Sequence, residues 1–187
     1  MVAVVGPSGC GKSSLLNLVG CIDLPTAGRV VVDGRVTSAL DDDALTALRR
    51  DRVGTVFQFF NLLPALTLQA NVALPLVLQG IPAHEAAQRS AAALDGVGLA
   101  GKARSFPAQV SGGEMQRAAI ARAIVHRPAI VLADEPTGNL DSQNGTNVLD
   151  LLRAIASGGQ TVLLATHSAE AAARCDRTIR MRDGRIV

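Results

Sequence analysis

Eight residues near the start of the chain, Gly6-Pro7-Ser8-Gly9-Cys10-Gly11-Lys12-Ser13, follow the spacing G-x-x-x-x-G-K-[ST]. Glycines at these positions let the backbone turn tightly with its N–H groups facing inward, which makes a cradle for an anion. Val2 to Val5 before the loop and Leu15 to Val19 after it give the order strand, loop, helix, and that places the positive end of a helix dipole at the cradle. The chemistry this serves is phosphate binding. Gly6, Ser8, Gly9, Cys10, Gly11 and Ser14 surround the phosphates, Lys12 reaches the β- and γ-phosphates, and the Ser13 hydroxyl ligates Mg²⁺. Lys102 is the only other lysine in a chain whose basic residues are otherwise arginines, so Lys12 is a compact point charge in an Arg-dominated sequence.

Five more stretches place reactive side chains at the ends of expected strands or the starts of expected helices, where open α/β sheets hold their ligands. Gln58 ends the apolar run Val53 to Phe57. Ser111-Gly112-Gly113 opens a helix, and its hydroxyl and two glycines read equally as a second anion site and as an ordinary serine N-cap. Asp134 and Glu135 end Ile130 to Ala133, and an apolar run rarely finishes in adjacent carboxylates without a cation nearby. Asp141 lies in Gly138-Asn139-Leu140-Asp141, and His167 follows the run Val162 to Ala165.

The elements that must carry these residues alternate between strand and helix, the pattern of an α/β domain with a mainly parallel sheet. Helices are expected from Ser13 to about Val19, across Asp41 to Arg50, from Ser111 to about Ala123, from Ser142 to about Ala156 and from Ser168 to about Arg174. Strands are expected at Val2 to Val5, Val53 to Phe57, Ile130 to Ala133, Thr161 to Ala165 and Thr178 to Met181. Arg29 to Val32 followed by Asp33-Gly34 predicts a tight hairpin, a small antiparallel β element beside the main sheet. Between Phe59 and about Val110 the pattern turns helical and Ala-rich, broken at Pro64, Gly80-Ile81-Pro82, Gly96 and Phe106-Pro107, which reads as an inserted α-helical subdomain. A core of residues 1–58 and 111–187 with an insert at 59–110 is thus expected in one domain. Its 187 residues, 48% of them hydrophobic, suffice for a full core.

Composition excludes several classes. A net charge of +2 with scattered arginines offers no stripe for nucleic acid. Cys10, Cys21 and Cys175 form no C-x-x-C pair and suit reduced thiols. No run approaches the roughly 18 apolar residues of a spanning helix, so any membrane role is expected to be peripheral. Three of the four phenylalanines cluster at Phe57, Phe59 and Phe60, with Leu62 and Leu63 following. That cluster reads either as packing against the helical insert or as an exposed interface patch.

In order and spacing the six stretches resemble the ATP-binding subunits of ABC transporters, over essentially the whole chain. The resemblance implies a P-loop NTPase fold, ATP and Mg²⁺ as ligands, and ATP hydrolysis. Gln58 is similar to the Q-loop glutamine, a neutral amide that touches Mg²⁺ or the attacking water. Ser111-Gly112-Gly113-Glu114-Met115-Gln116 resembles the S-G-G-Q signature, with Glu114 where Gln is commoner. Ile130 to Glu135 resembles the Walker B strand, Asp134 holding Mg²⁺ through water and Glu135 acting as general base. Asp141 is similar to the D-loop aspartate that couples two sites, and His167 to the switch histidine at the γ-phosphate. The family's head-to-tail homodimer is implied, Ser111 to Gly113 of one copy meeting the γ-phosphate on Lys12 of the other. So is docking of an integral membrane permease near Phe59 to Leu63, with the chain peripheral on the cytoplasmic face of the membrane. Phe59 to Pro64, Asn71 to Leu76 and Gly138 to Asp141 resemble the lipoprotein-release, macrolide-export and cell-division group. The resemblance implies an ATP-hydrolysing subunit that powers a permease of the lipoprotein-release or macrolide-export type; the alternatives are a cell-division ATPase that relays force without transport and a soluble non-transport ATPase. Family members carry two further strands and an adenine-stacking aromatic ahead of the loop. The chain is therefore expected to lack about 30 to 40 N-terminal residues, two strands with their turns.

Overall fold

Val2–Val5 forms β1 near the middle of a six-stranded sheet, in a computed structural model that describes residues 1–187. Ala3 and Val4 are fully buried, as a strand covered on both faces requires. The chain then runs through α1 (Lys12–Val19), the two-residue strands β2 (Val31–Val32) and β3 (Arg35–Val36), α2 (Asp42–Arg52) and β4 (Val53–Val56). There follow α3 (Leu68–Leu78), α4 (Ala83–Gly96), α5 (Gly112–Ile124), β5 (Ile130–Asp134), α6 (Ser142–Ser157), β6 (Thr161–Thr166), α7 (Ala169–Ala173), β7 (Arg177–Arg182) and β8 (Arg185–Ile186). The sheet order is β4-β5-β6-β1-β7-β8, parallel throughout except for β8.

The register decides where the site lies. Val5 stands opposite Thr166, Ala165 opposite Asp134, and Ala133 opposite Val56. The C-terminal ends of β1, β4, β5 and β6 therefore share one edge, and the loops that leave them converge.

Three apolar clusters hold this arrangement. Val56, Ile120, Val131, Leu152, Val162 and Leu164 fill one face of the sheet under α5 and α6. Leu16, Leu45, Leu48, Leu132 and Ala165 fill the other under α1 and α2. Leu68, Val72, Leu76, Leu94 and Leu99 form a third with Ala118 and Ala121. Helix α5 thus serves both the sheet and the helical segment. Its alanines permit the close approach, and at Gly54 a Cβ would overlap the Ala123 carbonyl oxygen, so β4 and α5 touch backbone to backbone.

Local chemistry explains most element ends. Asp41 caps α2 by accepting from the Ala44 N–H at 2.8 Å, with Asp42 and Asp43 in its first turn and Arg49, Arg50 and Arg52 in its last. Asp33 and Gly34 both take positive φ, 49° and 76°, as a two-residue hairpin between β2 and β3 needs. The same device at Asp183 and Gly184 adds β8, which the sequence reading omitted because a two-residue strand carries no alternation to detect. No helix is long and apolar enough to cross a membrane.

Candidate functional site

The loop between β1 and α1 has the shape its glycines allow. Gly11 sits at φ 101°, closed to most side chains, and hands over directly to the first turn of α1. A Cβ on Gly6 would overlap the Met181 carbonyl oxygen and crowd the Cys10 sulfur. Cys10 is buried against Val4 and Met181, while Ser8 and Ser14 are exposed.

Lys12 is 8% exposed, and its Nζ donates to the carbonyls of Gly6 at 2.8 Å and Pro7 at 3.2 Å. The ammonium thus folds over its own loop, 4.0 Å from Glu135 Oε1. Beside it, the Ser13 hydroxyl donates to Asp134 Oδ2 at 3.0 Å, which ties the start of α1 to the end of β5. These are hard oxygen donors, the kind that suit Mg²⁺. One hydroxyl and one carboxylate leave most of an octahedral shell to water and phosphate oxygens, the way Mg²⁺ is commonly held.

Glu135 is held tightly. Its φ is 45°, unusual for a non-glycine residue, and its N–H donates to the Ala165 carbonyl at 2.9 Å. One carboxylate oxygen, Oε1, lies 2.8 Å from His167 Nδ1, and the other accepts from the Thr166 hydroxyl at 3.2 Å. A carboxylate has no proton to give, so the Nδ1 tautomer donates.

Lys12, Ser13, Asp134, Glu135 and His167 therefore form one linked group. Gln58 stands at its border. Its side chain packs on Gly138, where a Cβ would come within 2.7 Å of Nε2, and its carbonyl accepts from Asn139 at 3.0 Å. It makes no hydrogen bond to Ser13 or Asp134.

Ser111 to Gly113 lies elsewhere. The Ser111 hydroxyl accepts from the Glu114 N–H at 3.2 Å, and the Glu114 carboxylate accepts from the Ser111 N–H at 2.8 Å, a reciprocal cap on α5. That backbone donor holds the Glu114 carboxyl below its ordinary range. A Cβ on Gly112 would meet Leu140 and the Phe60 ring at ordinary contact distance, and one on Gly113 would overlap the Asn144 side chain of α6. There Asp141 caps α6, accepting from the Asn144 N–H at 2.9 Å and its side-chain amide at 2.6 Å, and those bonds lower its pKa. No hydrogen bond or ion pair joins this group to the Gly6–Ser13 loop.

Between β4 and the helical segment opens a cleft of about 310 Å³ lined by Arg49, Phe57, Leu74, Leu78, Arg122 and His126. Arg122 donates to the carbonyls of Asn61 at 2.6 Å and Phe60 at 2.9 Å, both residues at positive φ, and burial lowers its pKa. Beside the cleft Phe59 is 71% exposed and Leu63 48%, whereas Leu62 packs on the helical cluster, so the apolar stretch divides between surface and core.

Three side chains were not singled out in the sequence. They are Thr166, Arg122 and Gln116, the last fully buried and donating to the carbonyls of Phe57 at 3.2 Å and Pro136 at 2.6 Å. Only Gln116 had a signal, a polar residue one helical turn past Ser111–Gly113 in an otherwise Ala-rich face.

The family model described as ABC transporter matches residues 1–138. The chain belongs to the ABC transporter family. An ABC transporter ATP-binding protein of Thermotoga maritima is 45% identical over 185 residues, covering 99% of this chain and 79% of the relative. A macrolide export ATP-binding/permease protein of Brucella melitensis is 48% identical over 186 residues, covering 100% of this chain and 29% of the relative. The chain thus spans less than a third of the length of such relatives. Among solved structures, a dimeric ATP-binding cassette in a post-hydrolysis state bound to ADP and phosphate superposes with a TM-score of 0.89 at 43% identity, covering 100% of this chain and 82% of that one. The α/β fold with its phosphate-binding loop is the fold of an ABC cassette.

Proposed function

We propose that the chain binds ATP and hydrolyses it, working as a dimer that drives an export-type membrane permease. One observation carries this: Lys12, the Ser13–Asp134 pair and the Glu135–His167 pair meet where β1, β5 and β6 end. That is a phosphate anchor, a divalent-cation pair and a general base on one edge. Bound nucleotide exchanges the Lys12 bonds to Gly6 and Pro7 for bonds to β- and γ-phosphate oxygens, while the loop amides cover the rest of the chain of phosphates. Mg²⁺ held by Ser13 and Asp134, with Gln58 beside it, would supply charge neutralisation at the phosphates. Glu135 takes the proton of the attacking water, and His167 turns to the γ-phosphate.

The remaining assignments follow from separation. Ser111 to Gly113 offers a second anion site that its own loop does not reach, and a structurally similar cassette is dimeric with ADP and phosphate bound. A head-to-tail pair, with Asp141 beside the junction, would bring the signature of one copy to the nucleotide of the other. The cleft lined by Arg49, Phe57, Asn61 and Leu78, together with the exposed Phe59 and Leu63 in the same stretch of chain, suits a segment of the permease. Relatives named as fused ATP-binding/permease proteins support such a partner, and with it a peripheral place on the cytoplasmic face of the membrane. Residues 59–110 would then be the helical subdomain that receives the permease, and 1–58 with 111–187 the catalytic core.

The test is phosphate release from Mg-ATP by the purified chain. Saturable release that Glu135→Gln abolishes is expected, whereas release no faster than without protein contradicts the reading.

A further inference from the structure

We propose that Thr166 is a positioning residue that fixes the orientation of the Glu135 carboxylate during hydrolysis, leaving His167 free to move. This rests on the reading of Glu135 as general base.

Thr166 is 1% exposed and stands opposite Val5 in the sheet, one residue before the phosphate-binding loop. Its β-branched side chain has few rotamers open to it. The hydroxyl accepts from the Ser168 N–H at 3.0 Å, so its single proton is directed at Glu135 Oε2, 3.2 Å away. Buried as it is, the hydroxyl has little water to compete for that proton. Ala165, the preceding residue, meanwhile accepts from the Glu135 N–H at 2.9 Å. Two successive residues of β6 therefore hold the backbone and the side chain of Glu135.

His167 differs. Its side chain is 67% exposed and reaches only the other oxygen, Oε1. The two partners divide the labour. When His167 turns to the γ-phosphate, Oε1 is released while Oε2 stays on Thr166. Oε1 can then take one proton of the attacking water as the water oxygen bonds to the γ-phosphorus and the bridging oxygen departs with ADP. Without the Thr166 hydroxyl the freed carboxylate would rotate away from the water.

The experiment compares wild type, Thr166→Val and Thr166→Ser in steady-state ATP hydrolysis, with thermal melting as a control for folding. Loss of the hydroxyl is expected to lower kcat about 10- to 100-fold, the scale of a misplaced catalytic group, with KM unchanged. Serine, which keeps the donor, should restore most of the rate. In a Glu135→Gln background the valine substitution should add no further loss. Thr166→Ala replaces the valine variant if the latter does not fold. A wild-type kcat in the valine variant, or equal loss in the valine and serine variants, overturns the proposal. Crystal structures of the same proteins separate this idea from the one it rests on. If wild type fails to hydrolyse ATP, the proposed function falls, and the carboxylate decides the rest. A carboxylate displaced in the valine variant and retained in the serine variant supports the anchor, and one position in all three overturns it.

Discussion

Lys12 is the residue whose posture best suits an anion. A buried ammonium satisfied by the carbonyls of its own loop has a fixed place and three donors, but no full counter-charge nearer than Glu135 at 4.0 Å. A phosphate would complete it. Lys12→Ala is expected to weaken ATP binding about 10- to 100-fold, the worth of a hydrogen bond to a charged group, and calorimetric titration would measure it. Glu135→Gln keeps the size of the side chain and removes the proposed base. It should lower kcat by about 10² to 10⁴ with nucleotide affinity retained. Lys12, Ser13, Asp134, Glu135 and His167 were legible because their types and spacing are informative before any fold is known. Thr166 was not, since a threonine at the end of Val-Leu-Leu-Ala needs no explanation beyond its preference for strands. Only the register of β6 against β5 shows that its hydroxyl faces a carboxylate.

Among the elements, α5 bears the most constraints, because the sheet, the helical segment and the signature residues all depend on it. Gly54→Ala is expected to push β4 from α5, since the new Cβ would overlap the Ala123 carbonyl, which belongs to the backbone and cannot swing aside. A cost of about 1 to 3 kcal/mol follows, and each kcal/mol should lower Tm by about 2 to 4 °C in a chain of this size. At the start of α5 the lowered pKa of Glu114 means that its carboxylate stabilises the folded state above its unfolded pKa. The contribution is lost as pH falls through the folded value. Glu114→Gln should therefore melt below wild type at pH 7 and converge with it as the pH falls through the lowered folded pKa. The alternation of strand and helix was readable from apolar periodicity and from helix-start signals such as Ser111, whereas Asp141 as the cap of α6 was not read. Short pieces were not. The two-residue β8 and the 3₁₀ turns at Ala100–Lys102 and Pro107–Gln109 arise from turn geometry and packing, which leave little trace in a linear pattern.

For the molecule as a whole, the decisive feature is that no hydrogen bond or ion pair joins the Ser111–Gly113 turn to the Gly6–Ser13 loop. Gly6–Ser13 has the lysine and the carboxylates, while Ser111–Gly113 is capped by Glu114 and sits beside Asn144 of α6. In the proposed dimer each chain would present two halves of a site, and a second copy would complete both. Phe59 and Leu63 are exposed, and Phe57 and Asn61 of the same stretch line the cleft between β4 and the helical segment, the place proposed for a permease segment. Whether the apolar stretch at Phe59 to Leu63 is core or surface could not be read from its composition, because Leu62 and Leu63 differ only in which way the backbone turns them. The most direct measurement is the solution mass of Glu135→Gln by light scattering, with and without Mg-ATP. Blocked hydrolysis should trap the closed pair, so the mass is expected to rise from 19.3 kDa to twice that value when ATP is added. A 19.3 kDa monomer under both conditions, with nucleotide bound, would contradict the shared-site account.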